Sequence, residues 1–113
     1  MAKLKYNYHS NNFTDFTIKV LLATEKIPVG NVVIYKGLAK AIGMSKAARA
    51  VGNALNKNSF APRVPCHRVI KSDGSLGGYG SGTKKKIEIL KKEGVEFAKN
   101  LKIKDFNKIL IEM

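Results

Sequence analysis

Apolar residues return along the chain with helical or alternating spacing, and the switches between the two mark out its elements. From Asn12 onward Phe13, Phe16, Ile18, Val20, Leu21 and Leu22 recur at roughly helical spacing, which predicts a first core helix ending near Glu25, with Thr14 or Asn12 as N-cap. Ile27-Pro28-Val29-Gly30 is turn chemistry, and the β-branched run Asn31-Val32-Val33-Ile34-Tyr35 predicts a short strand. Residues 36–42 read as a short helix with Leu38, Ala39 and Ile42 on one face and Gly43 as its stop; residues 46–57 read as a second, with Ser45 as N-cap. Two helices joined by a glycine-containing turn of about three residues form a helix-turn-helix. Residues 84–93 predict a further helix with Ile87 and Leu90 inward, Lys84 paired with Glu88, and Gly94 as its stop. Residues 1–11 alternate at Leu4, Tyr6 and Tyr8, as a short strand or a loosely held arm would. The 95–113 extension alternates weakly and offers Asp105 as cap for a helix over 106–111.

Two stretches break this pattern. The second helix of the helix-turn-helix is kept slim by Ala47, Ala48, Ala50, Gly52 and Ala54, while Arg49, Asn53 and Asn56 project from it. A mid-helix glycine costs about 1 kcal/mol relative to alanine, so Gly52 implies a close approach, to a neighbouring helix or to a DNA backbone. The segment 74–82 holds five of the ten glycines, giving a loop of wide backbone freedom. Its spacing fits neither a phosphate-binding P-loop nor a dinucleotide fingerprint.

Composition narrows the class. The 113 residues suit one domain, 44% apolar and 26% charged, and no apolar run approaches the roughly 18–20 residues needed to cross a bilayer. The basic N-terminus lacks a signal-peptide core, so the expectation is an intracellular protein with no membrane association. Lys and Arg number 21 against 8 Asp and Glu, a net charge of +13, which is the footprint of a polyanion binder, although a lysine-rich surface also serves solubility.

The single cysteine, Cys66, cannot form an internal disulfide, and it lies beside one of only two histidines in Val64-Pro65-Cys66-His67-Arg68-Val69. A thiol reacts as thiolate, and a nearby base or cation must bring that form within reach. His67 is the candidate base. On an extended backbone the two side chains would point apart, so a turn or a bridging water is needed. The imidazole also needs an acceptor to set its tautomer. Glu93 is conspicuous for that, because a helix C-terminus disfavours an anion and its presence there implies a tertiary partner. A buried thiol beside a core histidine remains the bland alternative. No set of three or four ligands at metal-site spacing exists, His9 being remote, so no metal is expected.

The Pro65-Cys66-His67-Arg68-Val69 core, with Ala47-Ala48-Arg49-Ala50-Val51-Gly52 upstream and Val33-Ile34-Tyr35 before that, resembles the C-terminal domain of O6-alkylguanine-DNA alkyltransferases over about residues 13–94. The resemblance implies that Cys66 accepts the alkyl group from O6 of guanine in one irreversible displacement. In the same way it implies that His67 activates the thiol through water, that Glu93 orients the histidine and that Asn58 braces the turn. Tyr35 would contact the flipped nucleotide and protonate the departing base. Arg49 would enter the base stack, on a helix whose Ala48 and Asn53 also face DNA. Val69, Gly78, Tyr79 and Gly80 would form the alkylguanine pocket. Arg68 receives no catalytic role. Base flipping costs a few kcal/mol, which a stacked arginine partly offsets.

The fold expected is α/β and mostly helical, a single domain over 1–113 with a winged helix-turn-helix DNA-binding core, an arm at 1–11 and an extension at 95–113. The function expected is stoichiometric repair of O6-alkylguanine in double-stranded DNA by a monomer, with no cofactor, in the cytoplasm at the nucleoid, or in the nucleus of a eukaryote. The family commonly carries a preceding N-terminal domain, so this chain reads as a stand-alone or excised catalytic domain. The rivals are a non-catalytic alkylguanine-lesion-binding protein that recruits other repair factors, a small chromatin-type protein with an incidental thiol, and a Cys-His hydrolase. Cys66 favours catalysis, since non-catalytic relatives replace that cysteine.

Overall fold

The computed structural model describes residues 6, 8, 13–77 and 82–113. Helix α1 (Asp15–Thr24) starts where Thr14 Oγ1 accepts the Thr17 amide at 3.1 Å, the cap expected of this residue type. After it come β1 (Val33–Ile34), α2 (Tyr35–Ala41), α3 (Ala48–Leu55), a 3-10 turn (Cys66–Arg68), β2 (Val69–Ile70), α4 (Thr83–Lys92) and α5 (Phe106–Ile109). Strands β1 and β2 pair in parallel, Val33 with Val69 and Ile34 with Ile70. The architecture is therefore mostly helical with a two-stranded sheet, and α2–α3 form the helix-turn-helix.

Two buried clusters hold the elements together. One gathers α1, α2 and α3 around Val20, Leu21, Leu38, Val51 and Val64 and includes Cys66. The second packs Val32, Ile70, Leu76, Leu90, Val95 and Ile103, and so ties the sheet to α4 and to the residues beyond it. Helices α2 and α4 each end on a glycine in the left-handed region. At α2, Gly43 (φ 78°) lets its own amide reach Lys40 O and the Met44 amide reach Ala39 O; at α4, Gly94 (φ 92°) gives the same pair to Lys91 O and Leu90 O. The α4 ending seats Val95 with Leu90 in the second cluster and leaves Glu93 at the C-cap.

Several expected boundaries move. Tyr35 opens α2 instead of closing the strand. Ser45 does not cap α3: an Ala47–Met44 backbone bond of 2.8 Å lengthens the connection, α3 begins at Ala48, and Ala47 stands at its N-cap with no side-chain bond. Glu88 faces Lys85 (3.9 Å) and Lys92 (3.7 Å), not Lys84. Asp105 precedes α5 but in the left-handed region (φ 54°) and makes no side-chain cap. Helix α5 stops at Ile109 because the chain then extends beside β1: Val32 N donates to Ile109 O and Ile111 N to Val32 O, both at 3.0 Å. In the arm, Tyr8 is fully buried, its ring edge-on to Phe60 at 5.3 Å and its hydroxyl donating to Glu25, while Tyr6 packs on Phe60 at 5.4 Å. At these two positions the arm is pinned, neither strand nor loose.

Candidate functional site

Cys66 opens the 3-10 turn, and the turn is fastened from both sides. Val64 N donates to Phe60 O, Cys66 N to Val64 O and Arg68 N to Pro65 O at 2.8–3.0 Å, while Asn58 spans the loop ahead of it, donating Nδ2 to Val64 O at 2.8 Å and accepting the Phe60 amide on Oδ1 at 2.9 Å. The turn, rather than an extended strand, is the geometry in which adjacent Cys66 and His67 side chains can serve one site. Both are buried, at 7% and 1% exposure.

His67 is held by α4. Its Nε2 lies 2.9 Å from Glu93 Oε2, and Arg68 grips the same carboxylate with Nε on Oε1 at 2.9 Å and Nη2 on Oε2 at 2.7 Å, while Nη1 donates to Ile27 O at 2.6 Å. Partial burial pushes the Glu93 carboxyl up, but the hydrogen bonds from Arg68 and His67 outweigh it and hold the group below its ordinary value. An ionised carboxylate only accepts, so Nε2 carries the hydrogen and Nδ1 is the basic nitrogen. Burial, helped by Arg68 and Lys86, outweighs Glu93 and holds His67 below its ordinary value, hence neutral near pH 7. The tertiary partner implied by the position of Glu93 is thus Arg68 together with His67, and Arg68 contributes by anchoring the orienting carboxylate.

Burial also pushes the Cys66 thiol up; the Asn58 side chain and the Lys86 charge work against this without reversing it. Lys86 is the residue that the sequence pattern did not single out. It is fully buried in α4, donates Nζ to Val69 O (2.8 Å) and Leu76 O (2.5 Å), and lies 5.9 Å from the Tyr35 ring centre. Burial lowers its pKa to about 8, with the nearby thiolate opposing. It stands in the run Lys84-Lys85-Lys86, whose neighbours are exposed. The usable signal was its position four residues before Leu90, on the same helix face.

Tyr35 completes the enclosure. A Cβ on Gly52 of α3 would lie 3.8 Å from its ring, so the close approach implied by that glycine is to Tyr35 and still leaves room for a methyl group. A Cβ on Gly77 would fall 2.7 Å from the Tyr35 hydroxyl, on a backbone at φ 71°, so only glycine fits there. Burial and the neighbouring thiolate raise the Tyr35 pKa. Val69 is buried in β2 beneath Lys86. On α3, Arg49 and Asn53 are exposed four residues apart on one face, and Ala48 lines an open groove with Tyr35, Lys36 and Lys71. The expected pocket residues Gly78, Tyr79 and Gly80, like His9, lie outside the described residues. Among the described residues no cluster of metal-ligating side chains occurs, and no helix is long and apolar enough to cross a membrane.

Residues 15–95 match the family model described as 6-O-methylguanine DNA methyltransferase, DNA binding domain. The chain is 49% identical over 81 residues to the methylated-DNA–protein-cysteine methyltransferase of Methanosarcina acetivorans, covering 72% of this chain and 52% of the relative. It is 45% identical over 80 residues to the bifunctional transcriptional activator/DNA repair enzyme Ada of Escherichia coli, covering 71% of this chain and 23% of the relative. It thus spans about half of the one and a quarter of the other. Among solved structures, Mycobacterium tuberculosis OGT in complex with DNA superposes with a TM-score of 0.69 at 46% identity, covering 72% of this chain and 50% of that one. Schizosaccharomyces pombe Atl1 in complex with damaged DNA containing O6-carboxymethylguanine superposes at 0.76 and 31% identity, covering 88% of this chain and 96% of that one.

Proposed function

From the premise that this chain belongs to the 6-O-methylguanine DNA methyltransferase DNA-binding-domain family, we propose that it repairs duplex DNA by moving an alkyl group from O6 of guanine to Cys66, once per molecule. The observation that carries this reading is the Glu93–His67 pair, a neutral, oriented imidazole on the same turn as the chain's only thiol.

The chemistry follows from the groups present. His67, with Nε2 committed to Glu93, takes the thiol proton at Nδ1 through a water, and Lys86 and Asn58 favour the thiolate that forms in an otherwise desolvating site. The sulfur attacks the alkyl carbon, the carbon–O6 bond breaks, and its electron pair leaves with the guanine. Tyr35 gives the base a proton and regains one from His67, so the thiol proton ends on guanine and the thioether stays on the protein. Nothing in this sequence of steps regenerates the thiol, hence the single turnover. Arg49, exposed on α3, fills the stack left by the flipped base, with Ala48 and Asn53 against the duplex and surrounding lysines on phosphates.

Incubation with duplex carrying O6-methylguanine is expected to add one methyl mass to the Cys66 peptide of wild type and none to Cys66→Ala, which still binds the duplex. A second reading, lesion binding without transfer, draws on the extensive overlap with Atl1. Selective binding of the lesion with no mass gain on Cys66 would replace the first reading by the second.

A further inference from the structure

We infer that the C-terminal extension, beyond the residues the family model matches, forms the far bank of the DNA-binding groove, and that the turn at residues 98–102 together with Lys71 holds a stretch of sugar–phosphate backbone. This rests on the duplex-binding reading above and extends it to a segment that reading does not use.

Two open grooves meet at Lys71. The first, about 340 Å3, runs from Ala48 at the start of α3 past Tyr35 and Lys36 to Lys71 and Asp73. The second, about 470 Å3, continues from Lys71 past Ser75 and Gly77 to Thr83 and then to Asn100 and Leu101 of the extension. The extension is not a loose tail at this point. Phe97 and Ile103 bridge in antiparallel fashion, Ala98 N donates to Lys102 O at 2.9 Å and Leu101 N to Ala98 O at 3.0 Å, and Ile103, buried, donates to Gly74 O at 3.0 Å. Phe106 covers Gly74, whose Cβ position lies 3.6 Å from the ring. The turn is therefore locked to the loop leaving β2, and its tip forms a wall of the same groove.

The bank is built for an anion. Lys36, Lys71, Lys99 and Lys102 are all exposed; Asp73 accepts the Ser75 amide at 2.9 Å and hydroxyl at 2.6 Å on Oδ1, and its Oδ2 forms an exposed, weakly held pair with Lys102 Nζ at 3.9 Å that a phosphate can displace. Those Ser75 hydrogen bonds hold the Asp73 carboxyl low. At the tip, Leu101 sits at φ 64° where the Ala98–Lys102 backbone bonds close the turn, and its side chain is 55% exposed toward the groove it lines. Lys36 and Lys71 on the groove walls, with Lys99 and Lys102 on the turn whose Asn100 and Leu101 line its far end, suit phosphates, read without regard to sequence.

The test is binding of plain duplex DNA to the full chain across a salt series. Lys71→Gln/Lys102→Gln is expected to bind about tenfold more weakly at low salt, with the slope of log K against log salt shallower by about 0.9 for each phosphate that is no longer neutralised. Lys71→Arg/Lys102→Arg should retain the slope. Asn100→Asp keeps the oxygen that accepts the Lys102 amide and adds one negative charge, so it should weaken binding even if the double variant folds poorly. Lys92→Gln, at the opposite end of α4 from Thr83 and about 13 Å along the helix, makes the same charge change off the groove and should leave binding as in wild type. If the Lys71/Lys102 and Asn100 variants behave like Lys92→Gln while Arg49→Ala loses affinity, the extension has no part in binding and the α3 reading stands. If wild type itself fails to bind, both fall.

Discussion

The Cys66 turn and helix α3 share one buried cluster and are made in opposite ways. The turn is over-determined: Asn58 braces it at two points, its backbone bonds close on Phe60, Val64 and Pro65, and Glu93 is gripped by three hydrogen bonds from His67 and Arg68. Helix α3 has no side-chain N-cap, buries only Val51, Ala54 and Leu55, and turns Arg49 and Asn53 to solvent. Chemistry on a fixed thiol needs positional precision, and the buried network provides it at the cost of holding ionisable groups away from water. A surface that receives a large polyanion needs shape and charge, and rigidity there adds little. Tyr35 is the joint between the two, its ring against Gly52 of α3 and its hydroxyl against Gly77 in the loop that follows β2.

If this contrast is right, changes in the turn should alter stability and chemistry together, while changes on α3 should separate them. Glu93→Gln should have the largest effect. It leaves the Arg68 guanidinium and His67 without their carboxylate, and a loss of about 3 kcal/mol in urea unfolding is expected, along with slower methyl transfer. The pH profile should carry the same mark. His67 has a folded pKa below its unfolded value of about 6.5, so the unfolded chain takes up the proton first, and wild-type stability falls as pH drops below about 6.5. Glu93, also depressed, contributes stability above its unfolded pKa of about 4.3, and this is lost as pH falls through the folded value. Glu93→Gln should lack that lower step; if its acid limb matches that of wild type, the carboxylate is not the anchor described.

Gly77→Ala comes next. The added methyl meets the Tyr35 hydroxyl at 2.7 Å on a left-handed backbone, so about 2 kcal/mol should be lost, and a thermal melt indistinguishable from wild type would show that Tyr35 moves aside freely. Arg49→Ala should leave stability within about 0.5 kcal/mol of wild type while weakening lesion-duplex binding about tenfold, and a fall in stability of comparable size would erase the distinction between the two regions. Gly52→Ala should be the smallest and of opposite sign: the new Cβ makes ordinary contact at 3.8 Å, and removing a mid-helix glycine should stabilise by about 0.5–1 kcal/mol in urea unfolding.

Much of this was legible in the chain because it depends on neighbours in sequence. Thr14 as cap, Gly43 and Gly94 as helix stops, the helix-turn-helix and the tight punctuation around Cys66 all follow from short-range backbone chemistry. The motif around Pro65-Cys66-His67-Arg68 pointed to the family, and the misplaced anion Glu93 pointed to a tertiary partner. Where a long-range contact competed with local preference, the local reading failed. Ser45 suits a cap, but a backbone turn carried the chain past it; residues 110–111 suit a helix, but pairing with Val32 drew them out straight.

What the tertiary structure alone decided is which charges go inside. Three consecutive lysines look alike in sequence, yet only Lys86 points where the carbonyls of Val69 and Leu76 can take its ammonium beside the thiol. Arg68 sits next to the reactive pair in sequence but works by reaching Glu93, 25 residues away. Sequence determines the local turns because their hydrogen bonds close within a few residues. The burial of a charge depends on partners brought together by the whole fold: the spacing from Leu90 gave Lys86 its inward face, but not the carbonyls that receive its ammonium.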